Sequence, residues 1–211
     1  MKIQQVLDAL KKNNMDAYFV ETREQALALV QELLPAGATV SVGGSVTLAE
    51  IGAMELLRSG AYNFLDRAAH GITPEGVRRV YEQTFAADCF LGSANAITEQ
   101  GELYNVDGNA NRISAMAFGP KSVIVVAGVN KIVPDLQAAV RRVKTICAPA
   151  NTKRLSCNTY CREKGHCVAV DGGMTDGCNS PQRICCTYQV LAHQRQPGRI
   201  KVILVNEHLG Y

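Results

Sequence analysis

The sequence has no apolar stretch that approaches the roughly 18 uninterrupted residues of a membrane-spanning helix. Its first residues, MKIQQVLDALKKNN, contain no apolar signal core, which predicts a cytoplasmic protein. Lys and Arg form no concentrated basic stripe of the kind that dedicated nucleic-acid binders carry, and the formal net charge is only +3. We therefore expect neither a membrane span nor a nucleic-acid partner.

Charged residues are scarce as well. They make up 19% of the chain, below the usual ~25%, whereas hydrophobic residues make up 47%. This balance excludes a disordered chain and predicts a compact body with a sizeable core. At roughly 100–200 residues per domain, 211 residues allow one large domain or one domain with a small appendage.

The familiar catalytic signatures are absent too. The sequence contains no Ser-His-Asp arrangement, no HExxH motif and no nucleophile elbow, and its glycine pair at 43–44 belongs to neither a GxGxxG nor a Walker A motif. The residues therefore indicate pockets without naming a reaction, and they leave open whether the chain is an enzyme.

Apolar residues alternate between strand-like runs and helical spacing. Strands are predicted at 18–20, 38–42, 62–66, 88–91, 122–127 and 200–205, with helices between most of them. Two segments, Thr22-x-x-Gln25 and Thr47-x-x-Glu50, have the form of capping boxes, the second opening a helix to about Arg58, and Pro74 suits a helix's first turn. This alternation predicts an α/β fold with a mostly parallel, doubly wound sheet flanked by helices, in which 122–127 is a central strand.

Residues 92–112 break the regular pattern and predict a hairpin or loop-rich insert, where binding groups tend to lie. Its polar side chains can line a pocket for a carboxylate or phosphate, with Arg112 as the bidentate anion partner. Alternatively, the amides and carboxylates serve only the turns. The candidate ligand-binding residues are Ser93, Asn95, Glu99, Asn105, Asp107, Asn109, Asn111 and Arg112.

Two further segments follow predicted strands. The turn that carries Gly43, Gly44, Ser45 and Thr47, with Glu50 beyond it, can approach an anion, or it is simple turn and cap chemistry. Asn130 and Lys131 follow the central strand, at the end where open α/β sheets bind ligands. Lys131 can bind a carboxylate, act as a base if burial lowers its pKa, or be a solvated loop residue. We predict that the glycine turn, the insert and Lys131 meet around one crevice at one rim of the sheet.

Six of the eight cysteines lie between residues 157 and 186. In a reducing compartment such a cluster more often binds a metal or does redox chemistry than forms disulfides. Four of them are enough for an all-cysteine zinc site or an iron–sulfur cluster, although their spacing chooses neither. These predicted ligands are Cys161, Cys167, Cys178 and Cys185, with Cys157 and Cys186 to spare; the alternative is that all are reduced and unliganded.

Several of these stretches resemble the LUD-domain family (LutC/YkgG-like), which is associated with lactate utilisation. The resemblance rests on 43–52 (GGSVTLAEIG), 98–103, 105–108, Asn111-Arg112, 119–121, 128–133 (GVNKIV) and the closing 209–211. The cysteine-bearing variety of the family is matched by Cys161, Gly165, Cys167, Cys178, Ser180, Pro181, Arg183, Ile184 and Cys185. Residues 168–177 separate the second and third of these cysteines more widely than is usual in that variety.

The resemblance implies a single LUD domain over residues 1–211, with 148–187 as a cysteine-rich loop segment, and a NagB/RpiA/CoA-transferase-like fold. It implies a subunit of a system that oxidises L-lactate to pyruvate, with iron–sulfur and oxidoreductase partner subunits and a metal or iron–sulfur site of its own. The alternative is an enzyme or sensor for an anionic ligand, such as a sugar phosphate, folate or CoA derivative, with structural cysteines. A non-catalytic assembly subunit and a homo-oligomer stay open.

Overall fold

Six parallel strands form the central sheet in the computed structural model, which describes residues 3–211. The strands are β1 (Asp16–Val20), β2 (Thr39–Val42), β3 (Asn63–Leu65), β4 (Cys89–Gly92), β7 (Ser122–Gly128) and β10 (Ile200–Val205), in the order β1-β10-β7-β4-β2-β3. Every neighbouring pair is parallel. Met1 and Lys2, which the predicted domain and the N-terminal stretch include, lie outside the described residues.

Some helices cover the two faces of this sheet, and others lie beside it. They are α1 (Ile3–Lys12), α2 (Arg23–Leu33), α3 (Val46–Glu50), α4 (Ala53–Arg58), α5 (Pro74–Thr84), α6 (Asn111–Ala117), α7 (Leu136–Arg142), α8 (Ala148–Arg154) and α9 (Tyr160–Lys164), with a π-helical turn, Val143–Cys147, joining α7 to α8. None of the helices within 3–211 has the length and apolarity needed to cross a membrane.

Alternate residues of β7 show why the sheet is covered twice. Val123 and Val125 pack in a core with Leu10 of α1, whereas Ile124 and Val126 pack in a second core with Val30 of α2. All four β7 side chains are fully buried. The predicted doubly wound α/β fold, with this strand near its centre, is confirmed.

A second, four-stranded sheet stands beside the first. It contains β5 (Ala96–Thr98), β6 (Leu103–Asp107), β8 (Ile132–Val133) and β9 (Thr187–Leu191), in the order β8-β5-β6-β9. The predicted hairpin in the insert is confirmed, since β5 and β6 pair antiparallel. Sequence analysis missed β9, which pairs antiparallel with β6 and packs Tyr188 and Val190 near Tyr104.

Two predicted helix starts are confirmed and one is wrong. Thr22 forms the predicted capping box, and Pro74 opens α5. The box at Thr47 does not form, because Ser45 caps α3 instead, accepting from the backbone N–H of Leu48. The helix expected to run on to Arg58 is broken at Gly52, whose φ of +78° is left-handed, so α3 and α4 are separate.

The segment 148–187 is not a loop throughout. Its first part continues the helical run from α7 as α8, and α9 follows at Tyr160–Lys164. The remainder, from Gly165 to the start of β9, is irregular. The prediction missed α8 because Pro149 and the cysteines around it have the composition of a loop, although Pro is tolerated in a helix's first turn.

We expect Gly101→Ala to destabilise the fold strongly. Gly101 has φ +77° in the β5–β6 turn, and an added Cβ would lie 2.7 Å from the Ala9 carbonyl carbon and the Leu10 nitrogen, backbone atoms that cannot yield separately. Gly37→Ala is the matched control, because Gly37 has φ +68° with open space around it. Urea denaturation should show a loss of about 1 kcal/mol for the control and roughly 2–4 kcal/mol for Gly101→Ala. Equal losses would mean that the close approach to α1 contributes nothing.

Candidate functional site

Three strand ends meet at one edge of the central sheet. Strands β2, β4 and β7 are neighbours and parallel, so the residues that follow them lie side by side. Lys131, after β7, donates from Nζ to Thr47 Oγ1 and to Ser93 Oγ, both at 2.9 Å. Thr47 lies in the first turn of α3, directly after β2 and the glycine turn, and Ser93 follows β4. One buried amine therefore joins the glycine turn, the insert and the central strand.

A cavity of about 390 Å³ opens at this edge. Its wall includes most of the predicted ligand-binding residues, drawn from all three segments. These are Gly44, Ser45, Thr47, Ser93, Asn95, Asp107, Asn109, Asn111, Arg112 and Lys131. The structure thus gathers these side chains around one concavity, and their contact with a ligand stays a prediction.

The other five predicted residues do not line the cavity. Gly43 and Asn105 lie behind its wall, in contact with Arg112. Glu50 and Asn130 hold the closing segment, since Glu50 Oε2 accepts from the Gly210 N–H at 2.6 Å and Asn130 Oδ1 accepts from the Leu209 N–H at 3.2 Å. Glu99 lies at the far end of the β5–β6 hairpin, where its backbone N–H donates to the Val133 carbonyl.

Arg112 forms hydrogen bonds that hold the insert, residues 92–112, in place. Its guanidinium donates to Asp107 Oδ1 (2.9 Å), Asn105 Oδ1 (3.0 Å), Asn95 Oδ1 (2.8 Å) and the carbonyls of Ser93 and Val106. A guanidinium has five N–H groups, so these contacts use its capacity. The other oxygen of Asp107 accepts the backbone N–H groups that begin α6. Arg112 is therefore engaged in positioning the insert, which differs from the free bidentate anion partner that the sequence suggested.

The glycine pair makes room for two arginines. An added Cβ at Gly43 would lie 3.0 Å from Arg112 Cγ, and one at Gly44 would lie 2.9 Å from Arg67 Nη2. Neither glycine has a positive φ. Close side-chain approach, not turn conformation, is the physical reason for glycine at both positions.

Lys131 is the unusual charge of the site. Its side chain is only 3% exposed, and no carboxylate among residues 3–211 accepts from its Nζ. Burial lowers the pKa of Lys131 from its usual 10.5 to about 8; Arg142 and Arg112 add to the drop, whereas Cys147 and Glu50 oppose it.

Cys147 also lines the cavity, within the π-helical turn. Its Sγ accepts from Arg142 Nη1 at 2.7 Å. Burial raises the pKa of the Cys147 thiol, although Arg142 and Lys131 work against that rise. Arg142 lies behind the residues that line the cavity, and its guanidinium also donates to the carbonyls of Asn95 and Asn130.

The cavity wall is strongly cationic. Its described residues include one acid, Asp107, which is paired with Arg112. Against that acid stand the cations Arg67, Arg112, Lys131, Arg154 and Arg183. An anionic ligand is the species that such a wall attracts.

Sequence analysis missed several wall residues, which come from segments far apart in the chain. These are Arg67, Tyr81, Asn151, Arg154, Arg183 and Tyr211. Arg67 donates from Nη1 to the Tyr81 hydroxyl at 2.9 Å, and Arg154 donates from Nε to the Tyr211 hydroxyl at 2.8 Å. Arg183 and Tyr211 did appear in the family pattern, and that was the available signal.

The cysteines divide into two groups. The four predicted ligands, Cys161, Cys167, Cys178 and Cys185, all line a second cavity of about 30 Å³. Cys186 is exposed and Cys157 lies outside this cavity. Burial, together with the nearby Cys161, Cys167 and Cys178, raises the pKa of Cys185 to about 12.

The four thiols suit a soft metal in kind and number. As arranged, however, no three His, Cys, Asp or Glu side chains within residues 3–211 are grouped closely enough to hold a metal ion. The cavity has space on the scale of a water molecule, which fits one ion better than a cluster of several atoms. The structure therefore gathers the donors without a ligating geometry.

Comparison with known proteins finds similarity over nearly the whole chain. A model described as the LUD domain matches residues 3–205. A solved DUF162 family protein from Deinococcus radiodurans is similar over 96% of this chain and 95% of that chain, with a TM-score of 0.53 and 16% identity.

Two other solved structures are similar over smaller parts. The similarity to ribose 5-phosphate isomerase from Plasmodium falciparum extends over 53% of this chain and 52% of that chain, with a TM-score of 0.34 and 16% identity. The similarity to eIF2B beta from Chaetomium thermophilum extends over 63% of this chain and 47% of that chain, with a TM-score of 0.37 and 14% identity. No curated protein matches the chain.

We expect Arg112→Ala to destabilise the protein by roughly 3 kcal/mol, because it leaves the nearly buried carboxylate of Asp107 without its partner. Arg78→Ala is the control: it breaks an exposed pair with Glu82 on α5 and should cost less than about 0.5 kcal/mol. Chemical denaturation of both variants measures the difference. An Arg112→Ala protein as stable as the control would contradict the role of Arg112 in holding the insert in place.

Proposed function

The chain belongs to the LUD-domain family, and from this we propose that it serves lactate utilisation by binding a small organic anion in the cationic cavity around Lys131. In its finer form, the proposal makes the chain a subunit of an L-lactate-oxidising system, acting beside iron–sulfur and oxidoreductase subunits. The family supports the lactate context, and the geometry of the cavity supports the binding of an anion.

The buried charge of Lys131, which lines the cavity, is the observation that carries the proposal. A buried ammonium group without a counter-charge costs several kcal/mol of desolvation. Lys131 has only two hydroxyl oxygens as hydrogen-bond acceptors among the described residues, which leaves one of its three N–H groups for a ligand. A carboxylate bound there would offset the desolvation and take that N–H.

Arg67 is the second group with capacity for a ligand. Its Nη1 donates to Tyr81, and no other hydrogen bond of its guanidinium is present within residues 3–211. It lies against Gly44 at the cavity wall. By contrast, Arg183 already donates to the carbonyls of Cys185, Cys178 and Thr175. We infer that Lys131 and Arg67 bind the anion, while Arg112 and Arg183 hold the wall.

The size of the cavity leaves room for competing ligands. About 390 Å³ lies at the lower end of the roughly 300–1,000 Å³ typical of small-molecule pockets. L-lactate or pyruvate would leave part of it filled with water, whereas a sugar phosphate would fill more. This favours testing a phosphorylated ligand beside the lactate pair as the second candidate.

We expect pyruvate or L-lactate to bind in calorimetry at pH 7, and Lys131→Met to weaken the binding about tenfold or more, which is about 1.4 kcal/mol. Affinity should fall as the pH rises through about 8, because the ammonium becomes a neutral amine while the ligand carboxylate stays charged. Lys121→Met is the control, since Lys121 is exposed and pairs with Asp88.

Ribose 5-phosphate, measured in the same way, discriminates between the ligand classes. Binding of the sugar phosphate alone, lost in Lys131→Met, would favour the anionic-ligand enzyme or sensor over the lactate subunit. If none of the three compounds binds, or if Lys131→Met binds as well as the native protein, the assignment of the cavity is wrong.

The four grouped thiols favour a second proposal, that the chain also carries a metal. Cys161, Cys167, Cys178 and Cys185 would hold it. A zinc ion, which the small cavity fits better, would be structural, whereas an iron–sulfur cluster would supply one-electron transfer to partner subunits. Their present arrangement requires the segment 157–187 to close around the metal, because no ligating group of three exists within residues 3–211.

We expect protein loaded anaerobically with iron and sulfide, or with zinc, to retain metal through gel filtration. Single Cys→Ser changes at 161, 167, 178 or 185 should abolish retention, whereas Cys157→Ser and Cys186→Ser should leave it unchanged. Metal content and visible absorption measure the result. Equal retention in all six variants, or none in the native protein, would overturn the metal proposal without affecting the anion cavity.

A further inference from the structure

We propose that Lys131 forms a reversible imine with the carbonyl carbon of a 2-oxo acid bound in the cavity, an inference that rests on the anion-binding function proposed above. It names the substrate class, 2-oxo acids such as pyruvate, and makes Lys131 a catalytic residue instead of a simple binding cation. The argument begins from a comparison of the two buried lysines of the chain.

Lys144 is bound as an ammonium ion. It is 4% exposed, and its Nζ donates to three carbonyl oxygens, those of Ala169 (2.6 Å), Gly172 (3.0 Å) and Gly173 (2.7 Å). Carbonyl oxygens only accept hydrogen bonds, so all three contacts require an N–H. All three contacts are donated by the nitrogen, so no lone pair on it is directed into a cavity.

Lys131 is equally buried but differently bound. Its Nζ contacts two hydroxyl oxygens, Thr47 Oγ1 and Ser93 Oγ, each at 2.9 Å. Thr47 gives its own hydroxyl proton to the Leu209 carbonyl at 3.3 Å, so it accepts from Lys131. A neutral amine has two N–H groups and one lone pair. The two hydroxyls satisfy both N–H groups, and the lone pair stays free on a side chain that lines the cavity.

The neutral form is accessible near physiological pH. With its pKa lowered to about 8 by burial, about a tenth of Lys131 is the free amine at pH 7, against less than about a thousandth for an ordinary lysine. Buried lysines without counter-ions are the ones that proteins use as nucleophiles. Here the same burial that costs stability supplies the reactive form.

The reaction needs no oxidant or reductant. The Lys131 lone pair attacks the ketone carbon, a C–N bond forms, and the carbonyl electron pair moves to oxygen, which takes a proton and gives a carbinolamine. The nitrogen has by then passed one of its two protons to that oxygen; it gives up the second as its electron pair forms a C=N double bond and the hydroxyl leaves, protonated, as water. Amine and ketone thus give imine and water. The Ser93 hydroxyl, 2.9 Å from Nζ, is placed to pass these protons.

The surroundings select a 2-oxo acid over other ketones. The carboxylate next to the carbonyl would meet the cationic wall, where Arg67 retains free N–H groups within the described residues. A neutral ketone would leave those charges uncompensated. A 2-hydroxy acid such as L-lactate has the carboxylate but no carbonyl, so it can bind without reacting.

The test is reductive trapping. The full-length protein is incubated at pH 7 with pyruvate and sodium cyanoborohydride, which reduces an imine to a stable secondary amine, and the modified peptide is located by mass spectrometry. We expect Lys131 to be modified at least about tenfold faster than the exposed Lys121, following the difference in free amine, and the buried Lys144 to remain unmodified. L-Lactate should give no adduct.

Two variants separate chemistry from binding. Lys131→Arg keeps a cation that can bind pyruvate but has no amine that can form the imine, so binding without an adduct is expected. Ser93→Ala should slow trapping while leaving calorimetric affinity within about threefold, which corresponds to about 0.7 kcal/mol. This readout marks Ser93 as a proton-transfer group and not a mere wall residue.

The outcomes distinguish the two proposals. Calorimetric binding of pyruvate with no adduct at Lys131, or with adducts spread equally over exposed lysines, overturns the imine and leaves the anion site intact. Absence of an adduct, together with absence of binding by pyruvate, L-lactate and ribose 5-phosphate, overturns the anion site and the imine together. An adduct at Lys131 that excess L-lactate suppresses supports both.

Discussion

The contact of one buried amine with two hydroxyls is the interaction on which the candidate site depends. Lys131 reaches Thr47 and Ser93 only because β7, β4 and β2 are adjacent and parallel, which places their carboxyl ends together. Burial gives this lysine its lowered pKa, and the absence of a carboxylate contact within residues 3–211 gives it capacity for a ligand. Binding and reactivity would then have the same physical origin, an ammonium group that the protein desolvates without neutralising.

Charged residues around the cavity fall into two kinds, and their hydrogen bonds tell them apart. Arg112 and Asp107 are saturated by each other, by Asn95 and Asn105, and by backbone groups, so they hold the insert rigidly against the glycine turn. Lys131 and Arg67 retain donors. The fully hydrogen-bonded pair of Arg112 and Asp107 makes the cavity wall rigid. Because a rigid wall does not collapse onto the cavity, Lys131 and Arg67 keep donors free for a ligand.

The cysteine segment links the two cavities. It supplies Arg154 and Arg183 to the cationic wall, and Cys185 lines both cavities. Any metal that drew Cys161, Cys167, Cys178 and Cys185 together would therefore also move one side of the anion cavity. The proposed anion site and the proposed metal site are compatible, because the two cavities that would hold them are separate and share wall residues such as Cys185.

The sequence by itself determined the α/β class, the central strand, the hairpin, and which ends of strands carry Gly44, Ser93 and Lys131, because hydrophobic periodicity and strand direction are local properties. It also separated four cysteines, Cys161, Cys167, Cys178 and Cys185, from Cys157 and Cys186. Only the tertiary structure decided that Arg112 is saturated, that Arg67 and Arg154 complete the wall, that β9 extends the second sheet, and that α3 ends before Gly52. The first three depend on partners many residues away, because a hydrogen-bond donor's availability is set by what the fold brings against it, which no local pattern encodes. The end of α3 depends instead on the left-handed backbone that Gly52 adopts.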